Sequence, residues 1–330
     1  MPQPIYQKKS VNPRGDAVYL QRDGECKKYK YHRLLYYTTS CGFVKAFALQ
    51  KSRTPWGNVH ILIQGEQRSA ERVRDMTMLS VEGVRQAYQT PAGETVALAD
   101  VTFSMEQGEF CSLVGPSGCG KSTLLSVIAG TMRPTAGRVT VAGHPVVGPC
   151  PHIGYMLQQD NLLEWRTVRQ NVLFGLEIRR RLTPQTRQRA EELLETYGLS
   201  EFADSRPSQL SGGMRQRVAL IRTLAVEPSV LLLDEAFSAL DYQTRMEVTE
   251  DVYCIIRRER VTTLMVTHDI PEGISMGDRV LIMSPRPAVI RSQLPIRFDL
   301  PQRSPMACRS QSTFASYFDF VWKELGMHEA

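Results

Sequence analysis

The chain has 330 residues and is 42% hydrophobic, enough to bury a sizeable core in one large domain or two. Its net charge of +6 is uneven: residues 1–75 hold 14 Lys and Arg against 6 Asp and Glu, and the remainder nets −2, which argues against a nucleic-acid-binding body. No apolar run is long enough to span a bilayer, the opening MPQPIYQKKS leads into no signal core, and seven scattered Cys without a CxxC pair argue against zinc or a disulfide framework and for a reducing compartment.

The base composition also changes along the chain. Seven of the nine Lys precede residue 76; only Lys121 and Lys323 follow it, among 24 Arg. Residues 1–77 therefore read as a basic, poorly structured extension. VHILI at 59–63 is its one candidate strand. A disordered tail, a small partner-binding region and sequence outside the natural protein are all open readings, the last because Met76 and Met78 stand where an independent domain would start.

From Leu79 to Val114, β-like pieces alternate with turns: LSVEGV, VALADVTFSM and EFCSLVG. The third runs into Gly115-Pro116-Ser117-Gly118-Cys119-Gly120-Lys121-Ser122-Thr123, followed by a helical STLLSVIAG. A GxxxxGK[ST] loop between strand and helix is a specific phosphate cradle. Glycines let backbone N–H groups turn inward, the helix N-terminus adds its dipole, Lys121 reaches the β/γ-phosphates, and Ser122 ligates Mg²⁺. Cys119 reads as a small loop residue.

Further on, RQRAEELLETYG and YQTRMEVTEDVYCIIRRER have helical spacing, whereas SVLLLDE, TTLMVTHD and RVLIM are continuous apolar runs of the buried-strand kind. Alternating strands and helices predict an α/β fold with a mostly parallel, covered sheet, whose ligands bind beyond the carboxyl ends of the strands. Asp234 ends one such run and suits Mg²⁺, mostly through water; Glu235 follows and suits a general base. His268 ends another run and suits a γ-phosphate contact. LSGGMRQR at 210–217 is a second helix start with bare N–H groups, a second anion site.

In order, GPSGCGKST, MLQQD, LSGGMRQR, LLLDE, SALD and VTHD resemble the nucleotide-binding subunit of ABC transporters over about residues 79–290. The resemblance implies a P-loop NTPase with a RecA-like core sheet and an antiparallel β subdomain. It places the ATPase domain at 78–295, an α-helical signature subdomain at about 158–225, and a short tail at 296–330. It implies ATP and Mg²⁺ as cofactors. Tyr88 becomes the aromatic stacked on adenine. Gln158, or its neighbour Gln159, becomes the glutamine that links the Mg²⁺ and water site to a membrane partner. Ser211, Gly212 and Gly213 become the signature that caps the γ-phosphate held by a second copy, and Asp241 the loop that crosses the dimer interface. Two ATP would then be sandwiched between two head-to-tail subunits on the cytoplasmic face of the membrane. Permease subunits, and through them an extracytoplasmic solute-binding protein, would be the further partners, with no nucleic acid.

LQQDNLLEWRTVRQNVLFGLEI and MSPRPAVI resemble the nitrate, sulfonate and taurine importers in particular, which would bring Trp165 against a permease. Ala236 and Glu164 depart from that pattern, where Pro is common. The competing class is a soluble ABC ATPase acting in DNA repair or on ribosomes. Against it, roughly 90 residues separate the P-loop from the signature with no sustained heptads, and the chain holds one ATPase half rather than two.

Overall fold

The computed structural model describes residues 77–91 and 93–326 and, before them, five short strands. The chain divides into two units, Met1–Glu71 and Arg72–Ala330. In the first, β1 (Gln7–Val11), β2 (Ala17–Arg22) and β3 (Glu25–Lys30) form an antiparallel sheet, and β4 (Tyr36–Thr38) pairs with β5 (Val44–Ala46). The strand expected at 59–63 lies outside the described residues.

The second unit is built on one ten-stranded sheet. Its parallel part runs in the order β14 (Arg279–Met283), β8 (Phe110–Val114), β13 (Thr262–Val266), β12 (Val230–Asp234) and β11 (Ile153–Met156). Every residue of β8 and β13 is buried, as are all but the last of β12. Helices cover both faces of such strands, so they show continuous apolar runs rather than alternation.

The other half is the antiparallel wing. The long hairpin β6 (Thr77–Thr90) and β7 (Gly93–Glu106) continues through β9 (Ala136–Val141) to the two-residue β10 (His144–Pro145). Strand β15 (Ala288–Pro295) joins the halves, antiparallel to β14 and parallel to β7. Along β7, buried Val101, Phe103 and Met105 alternate with exposed Thr102, Ser104 and Glu106, the period-two signature of a strand with one wet face.

Helix α1 (Lys121–Ile128) follows the glycine-rich loop. The helical region is formed by α2 (Val168–Ile178), α3 (Pro184–Thr196) and α4 (Gly212–Leu224). Thr167 and Gln170 close a capping box on α2, and Thr183 caps α3 with Pro184 at its first position. Leu173, Leu176, Leu193, Leu194, Leu220 and Leu224 enter one core with α5 (Tyr242–Glu259). Each such side chain contributes about 1.5–3 kcal/mol by leaving water.

Residues 296–326 fold onto the same unit through α7 (Pro305–Arg309) and α8 (Ser312–Glu324). Val321 is fully buried against Val114, Val280 and Ile282 of the sheet and Ile274 of α6 (Ile270–Met276). Phe314, Tyr317, Phe318 and Trp322 pack around that cluster. Arg303 reaches back to Asp278 Oδ1 at 2.9 Å.

Candidate nucleotide site

The register of the parallel strands brings the site together. Leu233 pairs with Met265 and Asp234 with Val266, and Val266 pairs in turn with Leu113. The ladder continues one step beyond: Glu235 N donates to Val266 O at 2.9 Å and Thr267 N to Leu113 O at 3.2 Å. Three neighbouring strands thus end level, so the glycine-rich loop, Asp234–Glu235 and His268 leave the sheet at one edge.

The loop itself is set by glycine. Gly118 has φ +74° and Gly120 φ +121°, where a side chain is strained, and a Cβ on Gly120 would stand 3.0 Å from Leu98 Cδ2. Gly120 is the residue before α1 and offers no side-chain cap, so the first N–H groups of α1 are left for a ligand. Lys121 is buried to 6% exposure, with Nζ donating to Gly115 O at 2.8 Å and Pro116 O at 3.0 Å. The lysine is thus folded back on its own loop, its ammonium held by two of the loop's carbonyls. Cys119 is buried and its thiol is raised by that burial, as suits a packing residue.

Ser122 Oγ lies 3.3 Å from Asp234 Oδ1. Burial pushes the Asp234 carboxyl above its ordinary value; hydrogen bonds from Tyr155 and Ser122 pull it back, and the charge of Glu235 pushes with burial. Lys121 is bonded elsewhere, so the pair of hard oxygens from Ser122 and Asp234 has the chemistry for a divalent cation. Among the described residues no cluster of three or more His, Cys, Asp or Glu could hold a metal. A cation here would complete its shell with water or phosphate oxygens.

Glu235 takes a left-handed backbone conformation, φ +46°, at the end of β12. Its Oε2 is 3.2 Å from His268 Nδ1. Ser238 Oγ donates to Glu235 O at 2.9 Å, and Gln158 Nε2 donates to Ser238 Oγ at 3.2 Å. Gln159 makes a different contact, accepting at its backbone carbonyl from Asn161 Nδ2 at 2.8 Å. Tyr88, half-buried on β6, places its hydroxyl 3.2 Å from Thr123 Oγ1, at the start of α1.

Ser211 and Gly212 are exposed and Gly213 is buried, at the start of α4. Ser211 caps α4, accepting from Met214 N at 3.3 Å, and Asp241 caps α5, accepting from Thr244 N at 3.0 Å. That bond holds the Asp241 carboxyl below its ordinary value. These two helix starts flank a cavity of about 400 Å³. A Cβ on Gly213 would stand 2.8 Å from Val248 Cγ2, so the small residue lets α4 approach α5. The two caps join no residue of the glycine-rich loop in any hydrogen bond or ion pair among the described residues.

The loop between Gln158 and α2 is held by α4. Arg215 grips Asp160 through Nε at 2.8 Å and Nη2 at 3.1 Å, and its Nη1 meets Glu164 at 2.8 Å. Arg222 donates to Asp160 O and Asn161 O. Glu164 thus acquires a partner of its own. Trp165 is 73% exposed and Ile178 66%, so neither packs in this chain's core.

Sequence reading passed over Tyr155 and Ser238. Tyr155 donates to Asp234 Oδ2 at 3.2 Å, and its own proton is held more tightly by burial and by Asp234. It lies on β11, a four-residue strand too short to show a period; only its place three residues before Gln158 pointed to it.

Residues 98–238 match the family model described as ABC transporter. An uncharacterized ABC transporter ATP-binding protein of Bacillus subtilis, YtlC, is 43% identical over 77% of this chain and 98% of its own length. The nitrate import ATP-binding protein NrtD of Synechococcus elongatus is 43% identical over 68% of this chain and 83% of its own. The taurine import ATP-binding protein TauB of Pelagibacter ubique is 40% identical over 68% and 84%. The dimeric post-hydrolysis structure of the ATP-binding cassette MJ0796, bound to ADP and Pi, superposes with a TM-score of 0.57 at 30% identity over 67% of this chain and all of that one. A P-loop at the level ends of three parallel strands, an acid pair, and this coverage of whole relatives have one reading: the chain belongs to the ABC transporter ATP-binding family and is an ATPase of that family.

Proposed function

We propose that this protein is the ATP-hydrolysing subunit of an importer for a small solute of the nitrate, sulfonate or taurine kind, working as a head-to-tail pair of copies. The observation that carries the pairing is the separation of two anion-binding helix starts within one chain. The P-loop and its acids form one half-site; Ser211–Gly213 and Asp241 form another, on a cavity that no residue of the glycine-rich loop lines. The MJ0796 cassette is dimeric, which supports a second copy as the source of the missing half. The importer reading is supported by the relatives named for nitrate and taurine import.

In this reading Tyr88 stacks on adenine, while Gly115 to Thr123 cradle the phosphates and Lys121 swings from its loop carbonyls onto the β/γ oxygens. Mg²⁺, when bound, offsets phosphate charge; Ser122, Asp234 and Gln158 are the residues that would hold it. Glu235 accepts a proton from the attacking water, and the His268 contact fixes the carboxylate that does so. Ser211 and the N–H groups of Gly212 and Gly213 cap the γ-phosphate of the partner. Loss of that phosphate removes the shared charge and lets the pair open, a two-state element biased by a ligand.

No helix among the described residues is long and apolar enough to cross a membrane. Permease subunits supply the passage, with the protein bound peripherally at their cytoplasmic side, and exposed Trp165 and Ile178 give an apolar contact for them. Tagged Glu235→Gln protein, purified with ATP from mildly solubilised membranes, should bring a permease with it. A clean dimer, or ribosomal or DNA-bound company, would place the chain among ABC ATPases without a permease.

A further inference from the structure

Behind His268 the polar contacts continue into a network. Thr267 and Glu272 are 2% and 5% exposed. The Thr267 hydroxyl donates to Glu272 Oε2 and accepts from Asp269 N at 3.0 Å. Asp269 Oδ1 accepts from Glu272 N at 2.9 Å, capping α6, and its Oδ2 lies 3.7 Å from Arg245 Nη1. From α5, Arg245 Nη2 donates to Leu240 O at 2.8 Å and Ser238 O at 3.3 Å. The Ser238 hydroxyl closes the circuit on Glu235 O. Arg245 and Glu272 line the same small cleft as Glu235 and His268.

A planar guanidinium is the side chain suited to this place. Its donors are fixed in one fork, so one residue can hold two carbonyls of one loop while facing a carboxylate of another. The ion pair alone, with each partner a quarter exposed, is worth little. Its effect is geometric: the segment 238–240 joins Glu235 to Asp241, and Arg245 ties it to the strand end that carries His268.

We propose that Arg245 is a positioning residue for ATP hydrolysis, locking the loop between Glu235 and Asp241 to the His268 strand end, with Asp269, Thr267 and Glu272 as its buttress. The proposal rests on the roles given above to Glu235 and His268. The locked loop carries the general base at one end and the residue facing the second copy at the other. Arg245 would therefore keep the base in line only while both loops hold their relative position.

The test is steady-state ATPase kinetics of Arg245→Gln, Asp269→Asn and the double variant, each with its thermal midpoint. Arg245→Gln should lower kcat by about tenfold or more, with KM for ATP within about twofold of the parent and the midpoint within a few degrees. Asp269→Asn should lower kcat in the same way, and the double variant should be no worse than the poorer single one. Additive losses, or a raised KM at unchanged kcat, would overturn the proposal. Should Arg245→Gln unfold, Arg245→Lys decides: it keeps the charge but has one nitrogen for the contacts that Nη2 makes with the two carbonyls and Nη1 with Asp269, so a normal kcat would also overturn it. Whether Glu235 is the base is read separately, from Glu235→Gln alone.

Discussion

The glycine-rich loop region and the Ser211 region of this chain are built on different physics. The P-loop region is a product of the sheet: three parallel strands end level, Lys121 is buried, and Ser122, Tyr155, Asp234, Gln158, Ser238, Glu235 and His268 form a chain of contacts within one molecule. The Ser211 region is a product of two helix starts, each satisfied by its own cap and open to one cavity. The first carries the groups to which the proposed function gives phosphate binding and water activation. The second carries helix-start N–H groups and the Asp241 carboxylate, and none of the groups of the glycine-rich loop. On the proposed function, a second copy reunites the two regions, and ATP binding becomes assembly.

The comparison breaks first at Glu235. Glu235→Gln removes the proposed proton acceptor while keeping the shape, so turnover should fall by on the order of 10²–10⁴-fold. ATP should still bind, and size-exclusion with ATP should show a stable pair. Lys121→Ala strikes the same region at the ground state: losing a charge-assisted contact should weaken ATP binding by about tenfold to a hundredfold, read by equilibrium titration. Ser211→Ala tests the other region. It should lower hydrolysis by about tenfold and cost about 1 kcal/mol through the lost cap, while ATP affinity of the dilute monomer stays unchanged. A fall in monomer affinity equal to that of Lys121→Ala would merge the two regions and remove the case for a shared site.

The smallest expected effect concerns pH. Burial raises Glu272 to about 7, with Asp269 pushing the same way and the Thr267 hydroxyl, Arg245 and Arg309 pulling down. The folded state therefore holds a proton that the unfolded chain releases near the ordinary carboxyl range. The contribution of this carboxyl to stability is fully present below that range and is lost as pH rises through about 7. Glu272→Gln should flatten the slope of denaturation midpoint against pH between about 4.5 and 7. An unchanged slope would mean that Glu272 does not carry it.

The fold class was legible because buried parallel strands write themselves as continuous apolar runs: SVLLLDE, TTLMVTHD and RVLIM all fall on β12, β13 and β14. The P-loop and the LSGGMRQR helix start were legible because glycine and cap residues act locally, within a few positions of where they stand. Less legible was the antiparallel wing, where LSVEGV and VALADVTFSM belong to a single long hairpin rather than to separate short pieces. Strand β11 was hidden by its length, and with it Tyr155. The segment after 296, read as a short tail, shows a helix whose aromatic residues acquire meaning only against the cluster around Val114 and Ile282.

By itself, then, the sequence determined the phosphate loop, the acid pair after an apolar strand, the signature helix start and the α/β class, since each is a local pattern of residue types. Only the tertiary structure decided which strand ends stand level, that Gln158 reaches Ser238, that Arg245 bridges two loops, and that Ser211 stands apart from the loop around Lys121. Those are relations between residues tens to more than a hundred positions apart. Strand register and core packing set them, and no local preference encodes either.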